Sequence, residues 1–150
     1  MSDQRCARRP DRFVASVGYI CSGKKTDARP FAETALAWYE KQAWNSRQQA
    51  VGITNIARAH ALAGHEALRL IEEGLARLQS DKFNLETGRF NAARVYVSLG
   101  RIDDAVANLR EMMKEATYNT SADLVRLEAM FAPLKDDPRF EVILKSAKPL

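Results

Sequence analysis

A chain of 150 residues, 46% hydrophobic and 28% charged, has the size and balance of one globular domain with a sizeable core. Five prolines and seven glycines argue against disorder over most of its length, and no apolar run reaches the roughly 18–20 residues a membrane-spanning helix needs. The whole net charge of +4 is carried by residues 1–30, where seven basic residues face three acidic ones.

Such a basic arm fits a solvated terminus better than a nucleic-acid contact. Cys6 and Cys21 match no metal spacing and define no disulfide framework, so a reducing, cytoplasmic setting is expected. The apolar stretch 13–21 contains Ser16, Gly18 and Tyr19 and lacks an Ala-x-Ala cleavage site, which argues against a secretion signal.

In chain order, residues 1–10 show no periodicity and read as a flexible basic arm, leaving 11–150 as one helical domain. Asp11 can cap a helix ending at Gly23, and Pro30 suits the start of the next. From 31 to 44, Phe31, Ala35, Trp38, Tyr39 and Ala43 recur at helical spacing, and Trp44 extends this aromatic stripe toward a packing or self-association surface.

Residues 47–63 repeat the periodicity and stop at Gly64. Ala67, Leu68, Ile71, Leu75 and Leu78 then mark a partner helix over 65–79. A further pair is expected over 85–99 and 102–116, with Asp103 and Asp104 in the second helix's first turn. Thr120 or Ser121 can cap a helix over 122–132 that Pro133 breaks, and Asp137-Pro138 opens a last helix over 138–147. No segment alternates with period two for long enough to form a sheet, so the chain reads as all-α.

Two signatures recur. Tyr19, His60 and Tyr96 each place a flat ring four residues before a glycine (Gly23, Gly64, Gly100). Ala35, Ala67 and Ala105 each precede a bulky Tyr39, Ile71 or Leu109 by one helical turn. Asn55-Ile56-Ala57-Arg58 also matches Asn91-Ala92-Ala93-Arg94, 36 residues on. A ring over a turn glycine, then a small residue, describes a helical hairpin whose apolar face needs a neighbour.

These residues resemble the tetratricopeptide-repeat (TPR) family. Residues 86–117 match best, through Ala93, Tyr96, Gly100, Asp103-Asp104, Ala105 and Leu109. Residues 50–79 match with a shorter turn, and 13–43 match loosely. The resemblance implies an α-solenoid of about three TPR-like helical hairpins with a C-terminal capping helix. The run Phe131-x-Pro-Leu-Lys-Asp-Asp-Pro-Arg-Phe140 looks like the segment that closes bacterial arrays of this kind.

No residue stands in a catalytic context. The two histidines, His60 and His65, do not share a metal-binding face. The carboxylate pairs Glu72-Glu73, Asp103-Asp104 and Asp136-Asp137 sit at helix surfaces or starts, and neither a nucleophile elbow nor a glycine-rich phosphate loop occurs. Neither a cofactor nor a metal is expected.

The resemblance instead implies binding in a concave groove lined by the first helix of each hairpin. Asn55, Arg58, Phe90, Asn91, Arg94 and Val97 are the candidate partner-binding residues, with Thr54, Leu62, Thr87 and Ser98 beside them. Arg58 and Arg94 hold the same repeat position, and two guanidiniums with two amides suit a protein or peptide bearing acidic groups. The competing structural role is an ion pair from each arginine to the adjacent hairpin. The functional expectation is a non-catalytic protein-interaction module. The alternatives are an accessory segment of a larger bacterial signalling or transcription regulator and, less favoured, nucleic-acid contact through the arm.

Overall fold

The structure is a computed structural model that describes residues 25–41, 54, 57, 58, 60, 61, 67–115 and 121–147. Among these residues the regular elements are all helical. They are α1 (Lys25–Glu40), α2 (Leu68–Leu78), α3 (Lys82–Ser98), α4 (Ile102–Met113), α5 (Ala122–Leu127), a 3₁₀ helix (Ala129–Leu134) and α6 (Pro138–Lys145). Thr54, Ala57, Arg58, His60 and Ala61 are also helical. The basic arm, the helix expected over 11–23, both cysteines, Trp44, Asn55, Leu62, Gly64 and His65 lie outside the described residues.

The α1 helix begins at Lys25, earlier than the expected start, and carries Pro30 inside it. Proline there costs one backbone hydrogen bond. Arg29 Nε donates to Glu33 at 2.9 Å, and Thr34 Oγ1 donates to the Pro30 carbonyl at 2.8 Å, so local side-chain bonds bracket the break. The helix runs to Glu40, and the stretch around Trp44 lies outside the described residues.

The α3 helix is the central element. Asp81 caps it by accepting from the Asn84 amide at 3.2 Å and from Asn84 Nδ2 at 2.7 Å, which starts the helix earlier than the apolar pattern suggests. It buries Leu85, Phe90, Asn91, Ala92, Val95 and Val97 around its circumference. A helix buried on several faces needs neighbours on each, and α2, α4 and the 3₁₀ helix supply them.

Gly88 sits where α3 meets α2: a Cβ there would lie 2.7 Å from Leu78 Cδ1 and 3.3 Å from Leu75 Cδ2. Both are ends of flexible side chains. Gly88→Ala is therefore expected near neutral in urea denaturation, because the roughly 1 kcal/mol gain in helix propensity offsets the shift of two leucines.

The turn after α3 follows the Schellman pattern. The Arg101 amide donates to the Tyr96 carbonyl (2.8 Å) and the Gly100 amide to that of Val97 (3.0 Å). Gly100 holds φ of +73°, and a methyl group added there would meet nothing within 4 Å. Gly100→Ala is expected to lose about 1–2 kcal/mol in the same measurement, through backbone conformation alone.

Tyr96, one turn above that glycine, packs against two core clusters. One contains Ala57, Ala61, Ala67, Ile71, Ala92 and Val95. The other joins α3 and α4 to the C-terminal segment through Phe90, Leu109, Met112, Phe131, Leu134 and Phe140. Burial of the Tyr96 phenol, reinforced by the charges of Asp104 and Glu72, raises its pKa against the opposing charge of Arg101.

The segment 121–147 departs from the expected helix over 122–132. Ser121 caps α5 by accepting from the Leu124 amide, as its sequence position suggests. The α helix then ends at Leu127, and Glu128 turns extended with ψ of 115°. Pro133 lies inside the 3₁₀ helix that follows and does not mark the break. Asp137 caps α6 by accepting from the Arg139 amide at 2.9 Å, with Pro138 in the first turn.

Candidate functional site: a polar ladder beneath the C-terminal segment

Arg58, Asn91, Arg94 and Glu128 come together across three successive parts of the chain. Arg58 Nη1 donates to Asn91 Oδ1 at 3.2 Å, and Arg94 Nη1 donates to the same oxygen at 3.3 Å. Asn91 Nδ2 donates to Thr54 Oγ1 at 2.9 Å, which completes both ends of an amide only 2% exposed. A buried amide with both ends bonded fixes register, since slipping either helix would strand a polar group.

Beyond Asn91 the ladder reaches the C-terminal segment. Arg94 Nε donates to Glu128 Oε2 at 3.0 Å, and Arg94 Nη2 pairs with the same carboxylate. The Arg94 guanidinium also lies 4.0 Å from the centroid of the Phe90 ring, stacked on its face. Glu128 Oε1 accepts from the Met130 amide at 3.2 Å, capping the 3₁₀ helix. These bonds explain the break at Glu128, where an extended residue turns its carboxylate onto Arg94.

Burial disfavours the charged form of Glu128 more than any other single influence acts on it. The hydrogen bond and charge of Arg94, the Met130 amide and the charge of Arg58 together outweigh burial, holding the carboxyl below its ordinary value of 4.5. A carboxyl lowered in the folded state stabilises the fold fully above that ordinary value. Its contribution is lost as pH falls through the lowered one. Glu128→Gln is accordingly expected to be less stable than the parent at neutral pH, with the gap closing toward pH 3 in thermal melts.

The sequence-derived residues thus separate. Arg58, Asn91 and Arg94 meet directly; Phe90 joins them through its ring face. Phe90 and Val97, expected to line an open groove, are buried in the core under the C-terminal segment. Phe131 covers Phe90, packing edge-on against it with centroids 5.6 Å apart and rings at 77°, and Val97 lies in the same core cluster. Thr54 is also buried in the ladder, and Ser98 Oγ donates to the Arg94 carbonyl at 2.8 Å. Asn55 lies outside the described residues.

Glu128 is the residue sequence reasoning missed. Arg94 and Glu128 stand 34 residues apart, and no local pattern in the sequence marks the pair. Four members of the carboxylate pairs form ion pairs or caps, Asp137 at the start of α6 among them. Glu73 accepts from Arg69 and Arg77, Asp104 from Arg101, and Asp103 from Arg139. Among the described residues no group of three or more His, Cys, Asp or Glu is placed to hold a metal ion, and no helix is long and apolar enough to cross a membrane.

Chemically, Arg94 grips a carboxylate through a forked hydrogen bond, and Asn91, itself held by Arg58 and Thr54, positions that guanidinium. Comparison with protein-family models, with curated proteins and with solved structures finds no match to this chain.

Proposed function

We propose that this chain is a TPR-like α-solenoid that serves as a non-catalytic protein-interaction module. The observation that carries the reading is the ladder itself. Arg58 and Arg94, 36 residues apart, are joined through Asn91, and Arg94 in turn pairs with Glu128. Stacked equivalent positions are what a repeat array produces, and such arrays present extended binding surfaces. The link from architecture to function is fold-level analogy.

The partner we infer is a protein segment bearing an acidic group. Its carboxylate takes the place on Arg94 that Glu128 holds within the chain, with Arg58 and Asn91 behind it. Arg94→Lys tests this, because it keeps the charge and loses the fork. Affinity capture from native cell lysate with the parent chain identifies the partner. The same partner is then expected to bind Arg94→Lys at least tenfold more weakly, compared at a temperature where both chains are folded by circular dichroism. Unchanged affinity would remove the Arg58–Arg94 face as the binding site.

A further inference from the structure

Every described arginine except Arg89 and Arg110 donates to a carboxylate or to the Asn91 side chain. The two exceptions stand on adjoining parts of α3 and α4. Asn108 Nδ2, two residues before Arg110, donates to the Arg89 carbonyl at 2.5 Å and braces one helix against the other. Both arginines act on Glu111. The hydrogen bond from Lys114, at 2.6 Å, and then the charges of Lys114, Arg89 and Arg110 hold that carboxyl below its ordinary value of 4.5. Three cations thus gather around one carboxylate, and Lys114 already occupies it. Arg110 is exposed and Arg89 half-buried.

We propose that Arg89 and Arg110 form an anion-binding site on the α3–α4 hairpin, and that its ligand is an acidic segment of a partner protein. The inference rests on the reading of the chain as a protein-interaction module, and it adds a second contact to that reading. Arg89 and Arg94 are five residues apart in α3, which places them about 140° apart around its axis, so the site is separate from the ladder. Like charges held together repel, and an anion bridging them relieves the repulsion; guanidiniums take carboxylates through forked hydrogen bonds. A peptide suits the site better than a nucleic acid does. Glu111 and Glu115 stand among the cations, and a strand with a phosphate at every nucleotide would bring negative charge onto them.

The test is binding of a fluorescein-labelled oligoglutamate peptide, read by fluorescence anisotropy at low ionic strength, where exposed charges are least screened. Arg89→Ala/Arg110→Ala is expected to bind about tenfold more weakly than the parent, since it loses two exposed ion pairs. Arg110→Ala alone, at an exposed position with no internal partner to strand, is expected to bind about threefold more weakly. The control is Arg69→Ala/Arg77→Ala, which removes the same charge from arginines already paired with Glu73. It is expected to bind as tightly as the parent, and so is Arg94→Lys.

Equal losses in the two double variants would show attraction to net charge alone and overturn the site. So would a parent chain that does not bind the peptide, or binding that only Arg94→Lys weakens. A single-stranded oligonucleotide that binds more tightly than the peptide, and is released by Arg89→Ala/Arg110→Ala, would overturn the assignment to a protein partner. The ladder's role is judged by Arg94→Lys in partner capture, so either contact can fail while the other stands.

Discussion

Phe131→Ala is expected to lose about 4 kcal/mol of unfolding free energy in urea denaturation, the largest effect of any single truncation in the C-terminal half. The ring is fully buried and packs edge-on against Phe90 on one side and Phe140 on the other. Truncation removes apolar burial and both aromatic contacts, and it leaves a void between elements that are 41 and 9 residues away in sequence. Because Phe131 joins α3 to α6, the transition should lose cooperativity as well as midpoint.

The matching control is Leu127→Ala. Leu127 is 79% exposed although it lies only four residues away, and its truncation should change stability by less than about 0.5 kcal/mol. Comparable losses at the two sites would show that the 3₁₀ segment is not seated on α3 as described.

Arg94→Ala is expected to cost about 3 kcal/mol at neutral pH, more than Glu128→Gln, which should cost about half as much. The asymmetry follows from what each change leaves behind. Removing the guanidinium strands a largely buried carboxylate and takes one of two donors from Asn91 Oδ1. Removing only the charge of Glu128 leaves an amide whose single oxygen can keep the bond from Arg94, at the cost of the one from the Met130 amide. A double-mutant cycle read in thermal melts should give a coupling above 1 kcal/mol.

The pH dependence separates these variants further. Glu128 is ionised in the folded state to a lower pH than in the unfolded chain, so the coupling to Arg94 should persist down to about pH 4.5 and fade below it. A coupling independent of pH from 7 to 3 would mean that hydrogen bonding to Glu128 carries the energy whatever its charge. It would remove the ion pair as the ladder's end point.

Much of the helical framework was legible in the sequence because its signals are local. Gly100 stops α3 by adopting a positive φ, while Ser121 and Asp137 cap their helices by accepting amides two or three residues ahead. The hairpin formed by α3 and α4, with Ala105 and Leu109 buried, follows from helical spacing on either side of that glycine. Boundaries moved where a side chain outside the apolar pattern intervened, as Asp81 does at the start of α3.

The candidate site was half legible. Repeat register put Arg58, Asn91 and Arg94 together, and the structure joins them by hydrogen bonds. It could not tell a surface facing water from one facing another part of the chain, since Phe90 and Val97 have the same periodicity in either case. Phe90 is covered by Phe131, 41 residues away, and Val97 shares the core cluster that the C-terminal segment joins.

The sequence by itself thus determined the helical character of the described residues, the turn at Gly100, the caps at Ser121 and Asp137 and the 36-residue spacing of two arginines. Those features rest on interactions within about one helical turn, where residue type and spacing suffice. The tertiary structure decided that α3 is enclosed, that the helix breaks at Glu128 and not at Pro133, and that Arg94 binds a carboxylate of its own chain. Each depends on a contact between residues more than thirty positions apart, where burial and charge pairing outweigh local helix preference.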